Sequence, residues 1–186
     1  FAADPEVAKV AQAVQRDGVD KTAEAVSRLY ERLGKQFVPL GSSYQGVFVA
    51  DAAGNLFTGV LEGGKEYKGS NVADRDYFKA AKSTGKTSIG EVVRSKTTDK
   101  LITVVCVPLK APGGEFLGAL GLVLKVEMLT DLVAKRKVGT TGYGFMTDAK
   151  GIIIAHPDAK NILELNVTKL AGMEDIVRRM LGGEKG

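Results

Sequence analysis

Two stretches of this chain, 97 residues apart, share one pattern. "YQGVFVADAAGNLF" (44–57) and "TGYGFMTDAKGIII" (141–154) each place an aspartate three residues after a phenylalanine. Alanine, one variable residue, a glycine and an apolar run follow in both. Such self-similarity is typical of a duplicated supersecondary unit. Asp-Gly turns also recur in unrelated hairpins, so a coincidence of two hairpins is the alternative.

The chain before the first repeat is predicted to be helical. Pro5 suits a first helical turn, and apolar residues recur at three- and four-residue steps as far as Phe37. "RDGVD" (16–20) interrupts this periodicity. The pattern therefore predicts either two helices joined by a turn or one kinked helix.

Five apolar runs of strand length follow the helical region. They are "GVFVAD", "LFTGVL", "TSIGEVVRS", "LITVVCVPLK" and "FLGALGLVLK", and turn-forming residues separate most of them. A short helix, "RDYFKAAKST", comes before the third run, with Asp74 as its cap and Gly85 at its end. "VEMLTDLVAKRK" (126–137) predicts a closing helix. We predict an α+β fold with a central antiparallel five-stranded sheet and the helices on one side.

The second copy of the repeat is shorter than the first. After its hairpin it has the helical pattern "LAGMEDIVRRML" (170–181) and then "GGEKG". We therefore expect a helical region at 1–40, a complete module at 41–137 and a partial second module at 138–186. We also expect the chain to be part of a longer protein.

Composition excludes several classes of function. The net charge of +4 is dispersed, and the densest basic run, "AKRKVG" (134–139), has no aromatic residue beside it, so no nucleic-acid partner is predicted. One cysteine, Cys106, and one histidine, His156, supply neither a disulfide framework nor the usual metal ligands. No nucleophile–base pair is recognisable. We predict no enzyme activity, no catalytic or metal-binding residue, and no cofactor.

The stretch "VADRDYFKAA" (72–81) is the strongest candidate for a binding site. Arg75 lies between two aspartates, and Tyr77 and Phe78 follow directly. An arginine near the free amides of a helix start suits an anion, and two rings can enclose an apolar body. Alternatively, Arg75 pairs with a neighbouring aspartate or with Glu91 at the surface, and Phe78 belongs to the core.

The order of these segments resembles the double Cache family. The resemblance covers residues 5–186, and "DRDYFKAA" and "GYGFMTDAKGIIIAHPD" are its most specific parts. Members are extracytoplasmic, periplasmic sensor domains of bacterial transmembrane receptors, particularly methyl-accepting chemotaxis proteins and also sensor kinases. The resemblance implies a long N-terminal helix that carries two PAS-like modules, of which the membrane-distal one binds the ligand. It also implies a membrane-anchored parent protein that is a homodimer.

Carried over residue by residue, the resemblance implies which side chains contact the ligand and what each contributes. Arg75 would hold a ligand carboxylate, Tyr77 and Phe78 would form ring walls, and Ser95 and Lys96 would add polar contacts. The amino-acid-binding branch of the family has a tryptophan and a tyrosine after the arginine, a tyrosine five residues before it, and an aspartate on the last strand that holds the ammonium group. This chain has Tyr77, Phe78, Ser70 and Val123 at those positions. A small organic acid or other anion is therefore expected rather than an α-amino acid.

A different class of function is a structural or dimerisation module of a sensor histidine kinase or other receptor, without a ligand. The apolar stripe on the second helical segment could face a partner chain in that case. Its members are Ala23, Val26, Leu29 and Leu33.

Overall fold

The computed structural model describes residues 4–140 and 142–184. The chain divides into two compact units, Phe1–Lys125 and Val126–Gly186. This division precedes the helix "VEMLTDLVA", whereas the sequence pattern places the domain boundary after residue 137. Each unit is described separately below. Within the described residues, none of the helices has the length and apolar character needed to cross a bilayer.

The N-terminal region is helical, as predicted, and it consists of two helices. They are α1 (Pro5–Asp17) and α2 (Ala23–Phe37), with a short 3₁₀ turn at Asp20–Thr22 between them. Gly18 ends α1 with a φ of 83°, a conformation that glycine adopts without strain. The N-terminal helical region is thus two helices joined by a turn, which is one of the two arrangements that the sequence pattern predicts.

A six-stranded antiparallel sheet forms the centre of the first unit. Its strands follow the spatial order β2-β1-β6-β5-β3, and β4 pairs with the same strand, β5, as β3 does. Helix α3 (Asp76–Thr84) lies between β2 and β3 in the chain and ends at Gly85, as predicted. The strands are β1 (Tyr44–Asp51), β2 (Leu56–Leu61), β3 (Ser88–Ile89), β4 (Val93–Arg94), β5 (Leu101–Lys110) and β6 (Phe116–Lys125).

The sheet has six strands rather than five because the predicted strand "TSIGEVVRS" is interrupted. Gly90 separates β3 from β4, although its N–H donates to Val104 O at 2.9 Å. A Cβ at Gly90 would lie 2.6 Å from Cδ1 of Tyr77, so the close approach of this ring requires a glycine. The packing of α3 thus interrupts the strand.

Helices cover both faces of the sheet, and the prediction that they gather on one side was wrong. Side chains of β1 alternate between the two faces: Val47 and Val49 belong to a core cluster with α1 and α2, whereas Phe48 and Ala50 belong to a cluster with α3. All four are buried. The physical reason is that β1 and β6 are apolar on both faces, which requires cover on both.

The apolar stripe of α2 is part of this core. Val26, Leu29 and Leu33 are buried against the chain's own sheet, while Ala23 is exposed. The stripe is therefore occupied within the unit and does not present a continuous apolar face to a partner chain.

In its described residues, 126–140 and 142–184, the second unit contains two α-helices and four short strands. Helix α5 begins at Glu174, later than the predicted start at 170, because the 3₁₀ turn Val167–Lys169 and a further turn come first. The elements are α4 (Val126–Ala134), β7 (Lys137–Val138), β8 (Gly142–Tyr143), β9 (Met146–Thr147), β10 (Ile153–Ala155) and α5 (Glu174–Leu181).

The two Asp-Gly turns of the repeat have the same hydrogen bonds. Asp51 Oδ1 accepts two backbone N–H bonds at 2.9 Å, and Asp148 Oδ1 does the same. Gly54 and Gly151 follow with φ of 86° and 79°. The likeness extends beyond the turn, because an Asn-Val pair donates to the glycine carbonyl in each unit, through Val72 N and Val167 N at 2.9 Å. The PAS-like character of the second unit stays a prediction.

Candidate functional site

The N-terminus of α3 places Arg75 at the edge of the sheet. Arg75 is the residue that caps α3, with extended backbone angles (φ −72°, ψ 140°), and its carbonyl accepts from Lys79 N at 3.1 Å. The predicted cap, Asp74, lies one residue earlier and its carboxylate pairs with Lys96 Nζ at 2.7 Å instead. The assignment of Asp74 as the helix cap was therefore wrong.

The Arg75 guanidinium is half-buried and is held by a neutral group. Its Nη2 donates to the backbone carbonyl of Arg94 at 2.9 Å. Among residues 4–140 and 142–184, no ion pair joins Arg75 to a carboxylate. Asp74 is paired with Lys96, and Asp76 Oδ2 accepts the backbone N–H of Glu91 at 2.7 Å. Within this described part of the chain, Arg75 is thus in no ion pair of its own, although its charge contributes to the lowered pKa of Asp74.

Tyr77 and Phe78 are both buried under α3, 3% and 2% exposed. The Phe78 ring meets Phe116 edge to face, with centroids 5.8 Å apart, at the start of β6. Burial raises the pKa of Tyr77, so its phenol is a neutral group. Phe78 contributes to the core, whereas Tyr77 lies on the side of Arg75, whose charge opposes the rise in the pKa of Tyr77.

Ser95 and Lys96 both lie in the loop from Arg94 to Asp99, but their side chains make different contacts. Ser95 is buried, and its Oγ accepts the N–H groups of Thr97 at 3.3 Å and Thr98 at 3.2 Å. Lys96 is exposed, and besides its pair with Asp74 it donates to Asn71 O at 3.0 Å. Lys96 thus joins this loop to the segment before α3, and Ser95 stabilises the loop through hydrogen bonds within it.

Tyr67 is a further buried residue of this region, and the sequence pattern did not single it out. Its side chain is 5% exposed and its ring meets Phe48 edge to face at 5.5 Å. Burial raises the pKa of Tyr67, while hydrogen bonds with Ser95 and Thr97 and the charge of Arg75 oppose that rise. Tyr67 is the one aromatic residue in the loop between Gly63 and Val72. A single aromatic residue in an otherwise polar loop is a sequence signal from which its burial could have been predicted.

Val123 lies on β6, on the face that α3 covers. It is fully buried, pairs with Val104 of β5, and belongs to the same core cluster as Tyr77. Val123, the residue expected at the position of the ammonium-binding aspartate, thus lies on the face that α3 covers and carries no charge. Within the described residues, no group of three or more His, Cys, Asp or Glu side chains is arranged to hold a metal ion.

Comparison with known proteins gives the family. The model of the family described as "Cache domain" matches residues 4–185. The chain belongs to the Cache domain family. Cache sensor domains are in general not enzymes, and the resemblance to this family is confirmed, while the double arrangement stays a prediction.

Two methyl-accepting chemotaxis proteins are among its relatives. McpA of Bacillus subtilis (strain 168) is 24% identical over 152 residues, which cover 81% of this chain and 21% of McpA. PctB of Pseudomonas aeruginosa is 26% identical over 90 residues, which cover 48% of this chain and 14% of PctB. The chain thus spans less than a quarter of the length of either relative.

Solved structures share the fold of this Cache domain. The extracellular domain of the putative histidine kinase mmHK1S-Z2 has a TM-score of 0.71 at 18% identity, covering 98% of this chain and 74% of that one. The ligand-binding domain of the P. aeruginosa amino acid chemoreceptor PctB in complex with L-Arg has a TM-score of 0.57 at 21% identity, covering 88% and 64%. The ligand-binding domain of the Pseudomonas fluorescens chemoreceptor CtaA in complex with L-serine has a TM-score of 0.58 at 21% identity, covering 88% of this chain and 66% of that one.

Proposed function

We propose that this Cache domain is a sensor that binds a small carboxylate between α3 and the sheet. The observation that carries the proposal is the half-buried Arg75, which caps the helix and has no carboxylate paired with it in the described part of the chain. A guanidinium binds a carboxylate through two charge-assisted hydrogen bonds, and Arg75 uses one N–H group on Arg94 O.

The surrounding groups suit a small, partly apolar acid. Tyr67 and Tyr77 are buried aromatic residues close enough to Arg75 for its charge to oppose the rise in both pKa values. Phe78 contributes from the core side, and Lys96 closes the loop over the helix start. Together they give an apolar lining with a few converging polar groups, which is the usual composition of small-ligand sites.

The ligands of the neighbouring structures contain a carboxylate, which supports an acid as the ligand of this chain. They do not determine whether that ligand also carries an ammonium group. L-Arginine in PctB and L-serine in CtaA each carry a carboxylate and an ammonium group. Arg75 suits the carboxylate, while Val123 offers no counter-charge to an ammonium group. We infer that an organic acid binds this chain more tightly than the matching α-amino acid.

The wider role follows the relatives. We place the chain in the extracytoplasmic, periplasmic part of a membrane-anchored, homodimeric chemotaxis receptor, with residues 41–137 as a membrane-distal PAS-like module and residues 138–186 as part of a membrane-proximal one. The N-terminal helices would transmit the signal, because α1 and α2 pack on the sheet face opposite α3. A ligand that favours one position of the sheet shifts the population toward it.

Isothermal titration calorimetry of the purified chain with small organic acids tests the site. Arg75→Ala is expected to weaken binding about 10- to 150-fold, from the 1.5–3 kcal/mol typical of a hydrogen bond to a charged group. Arg94→Ala is the matched control, because it removes a nearby guanidinium and leaves the backbone carbonyl that Arg75 uses. Tight amino-acid binding that survives Arg75→Ala would contradict the proposal.

A further inference from the structure

Gln45 is a buried polar residue whose side chain bonds to the same loop that Arg75 contacts. It lies on β1, where the register with β6 shifts between Tyr44 and Gly46, and its side chain is 3% exposed. The amide Nε2 donates to the hydroxyl of Thr98. The register shift explains the position, because a β-bulge turns a side chain away from its regular direction.

The other half of the same amide is unsatisfied. Gln45 Oε1 is buried and has no hydrogen-bond partner among the residues that the structure describes. A buried acceptor without a partner costs about 1–3 kcal/mol, and most buried polar groups in folded proteins are therefore paired. An unpaired buried acceptor is stabilised by any donor that reaches it, and a ligand hydroxyl group is such a donor.

Hydrogen bonds connect Gln45 to the rest of the site. Thr98, its partner, donates its backbone N–H to Ser95 Oγ at 3.2 Å, and Ser95 is among the groups that oppose the rise in the pKa of Tyr67. Arg75 is bonded to the same loop one residue earlier, at Arg94 O. The loop therefore contacts the Arg75 cation at Arg94 and the neutral amide of Gln45 at Thr98.

We propose that Gln45 is a specificity-determining residue, whose Oε1 accepts a hydrogen bond from a hydroxyl group of the ligand while Arg75 binds the ligand's carboxylate. The inference rests on the proposed function and narrows the ligand class to hydroxycarboxylates. An amide oxygen is neutral, so it satisfies an uncharged donor without supplying the counter-charge that an ammonium group requires. A buried acceptor built to meet a substrate hydroxyl discriminates strongly against the analogue that lacks it.

The test compares butanoate with 2-, 3- and 4-hydroxybutanoate and with 4-aminobutanoate by calorimetry on the intact chain. At least one hydroxy acid is expected to bind about 2- to 13-fold more tightly than butanoate, the range that corresponds to one hydrogen bond. The amino acid is expected to gain nothing over butanoate. The inference is overturned if butanoate binds as tightly as every hydroxy acid.

Two variants separate recognition from packing. Gln45→Met keeps the length of the side chain and should abolish the preference for the hydroxy acid over butanoate. Thr98→Val removes the same hydrogen bond to Nε2 but keeps Oε1, so the preference should survive. A preference that persists in Gln45→Met overturns the inference even when Arg75 is required for binding. If no acid binds the wild-type chain, the proposed function and the inference both fail.

Discussion

Replacement of Phe78 by alanine distinguishes a core residue from a ligand wall. The ring is 2% exposed and belongs to the cluster that joins α3 to the sheet. Truncation of a buried phenylalanine lowers the free energy of unfolding by about 3–5 kcal/mol, of which about 0.5–1.5 kcal/mol reflects an edge-to-face pair such as that with Phe116. We therefore expect a loss of about 4 kcal/mol, which is a large part of the stability of a typical domain.

The assay is urea unfolding followed by circular dichroism. Because Phe78→Ala removes so much stability, Phe78→Leu serves as the milder variant, and a double-mutant cycle with Phe116→Leu isolates the contact between the two rings. The coupling energy should be about 0.5–1.5 kcal/mol. A loss below about 1 kcal/mol for Phe78→Ala, or a coupling near zero, would refute the assignment of Phe78 to the core.

Three further predictions concern stability and reactivity. Gly54→Ala should lower the free energy of unfolding more than Gly18→Ala. Both glycines have positive φ, but a Cβ at Gly54 would lie 2.7 Å from Ala73 N, whereas a Cβ at Gly18 would lie in open space. Urea unfolding of the two variants measures the difference, and equal losses would contradict the prediction. The Asp4 carboxylate has its pKa lowered to about 2, mainly by its hydrogen bond with an arginine, so its contribution to stability is complete above the unfolded pKa near 3.8 and is lost as the pH falls toward 2. Asp4→Asn should therefore flatten the pH dependence of thermal melting between pH 4 and about 2. Burial raises the pKa of the Cys106 thiol to about 12, so iodoacetamide at pH 8 should label Cys106 only in unfolded protein, and rapid labelling of the native chain would contradict this.

Local patterns were enough to predict most elements of the sheet. Alternating and apolar runs gave β1, β2, β5 and β6 close to their observed positions, because long strands in a central sheet are dominated by burial. The break between β3 and β4 was missed, since it depends on the ring of Tyr77 lying against Gly90, a contact between residues on different elements. The presence of helices on both faces of the sheet was not predicted, because an apolar run does not indicate which helix packs on which face.

The candidate site could be predicted only in part. Arg75 and its aromatic neighbours stand out in the sequence, and the resemblance gave Ser95 and Lys96. Tyr67 and Gln45 were missed because each reaches the site through tertiary structure: a loop that folds back on the sheet for Tyr67, and a register shift for Gln45. Asp74 was misread as a helix cap because its pairing with Lys96 joins residues from separate loops.

The alternation of β1 gives this domain a short mechanical path. Phe48 touches Tyr67 on the face where the acid is proposed to bind, and its chain neighbours Val47 and Val49 pack with α1 and α2 on the opposite face. Three consecutive residues of one strand therefore span the whole thickness of the sheet. One peptide bond on either side of Phe48 thus separates the residue that touches the Tyr67 ring from the residues that pack against the N-terminal helices.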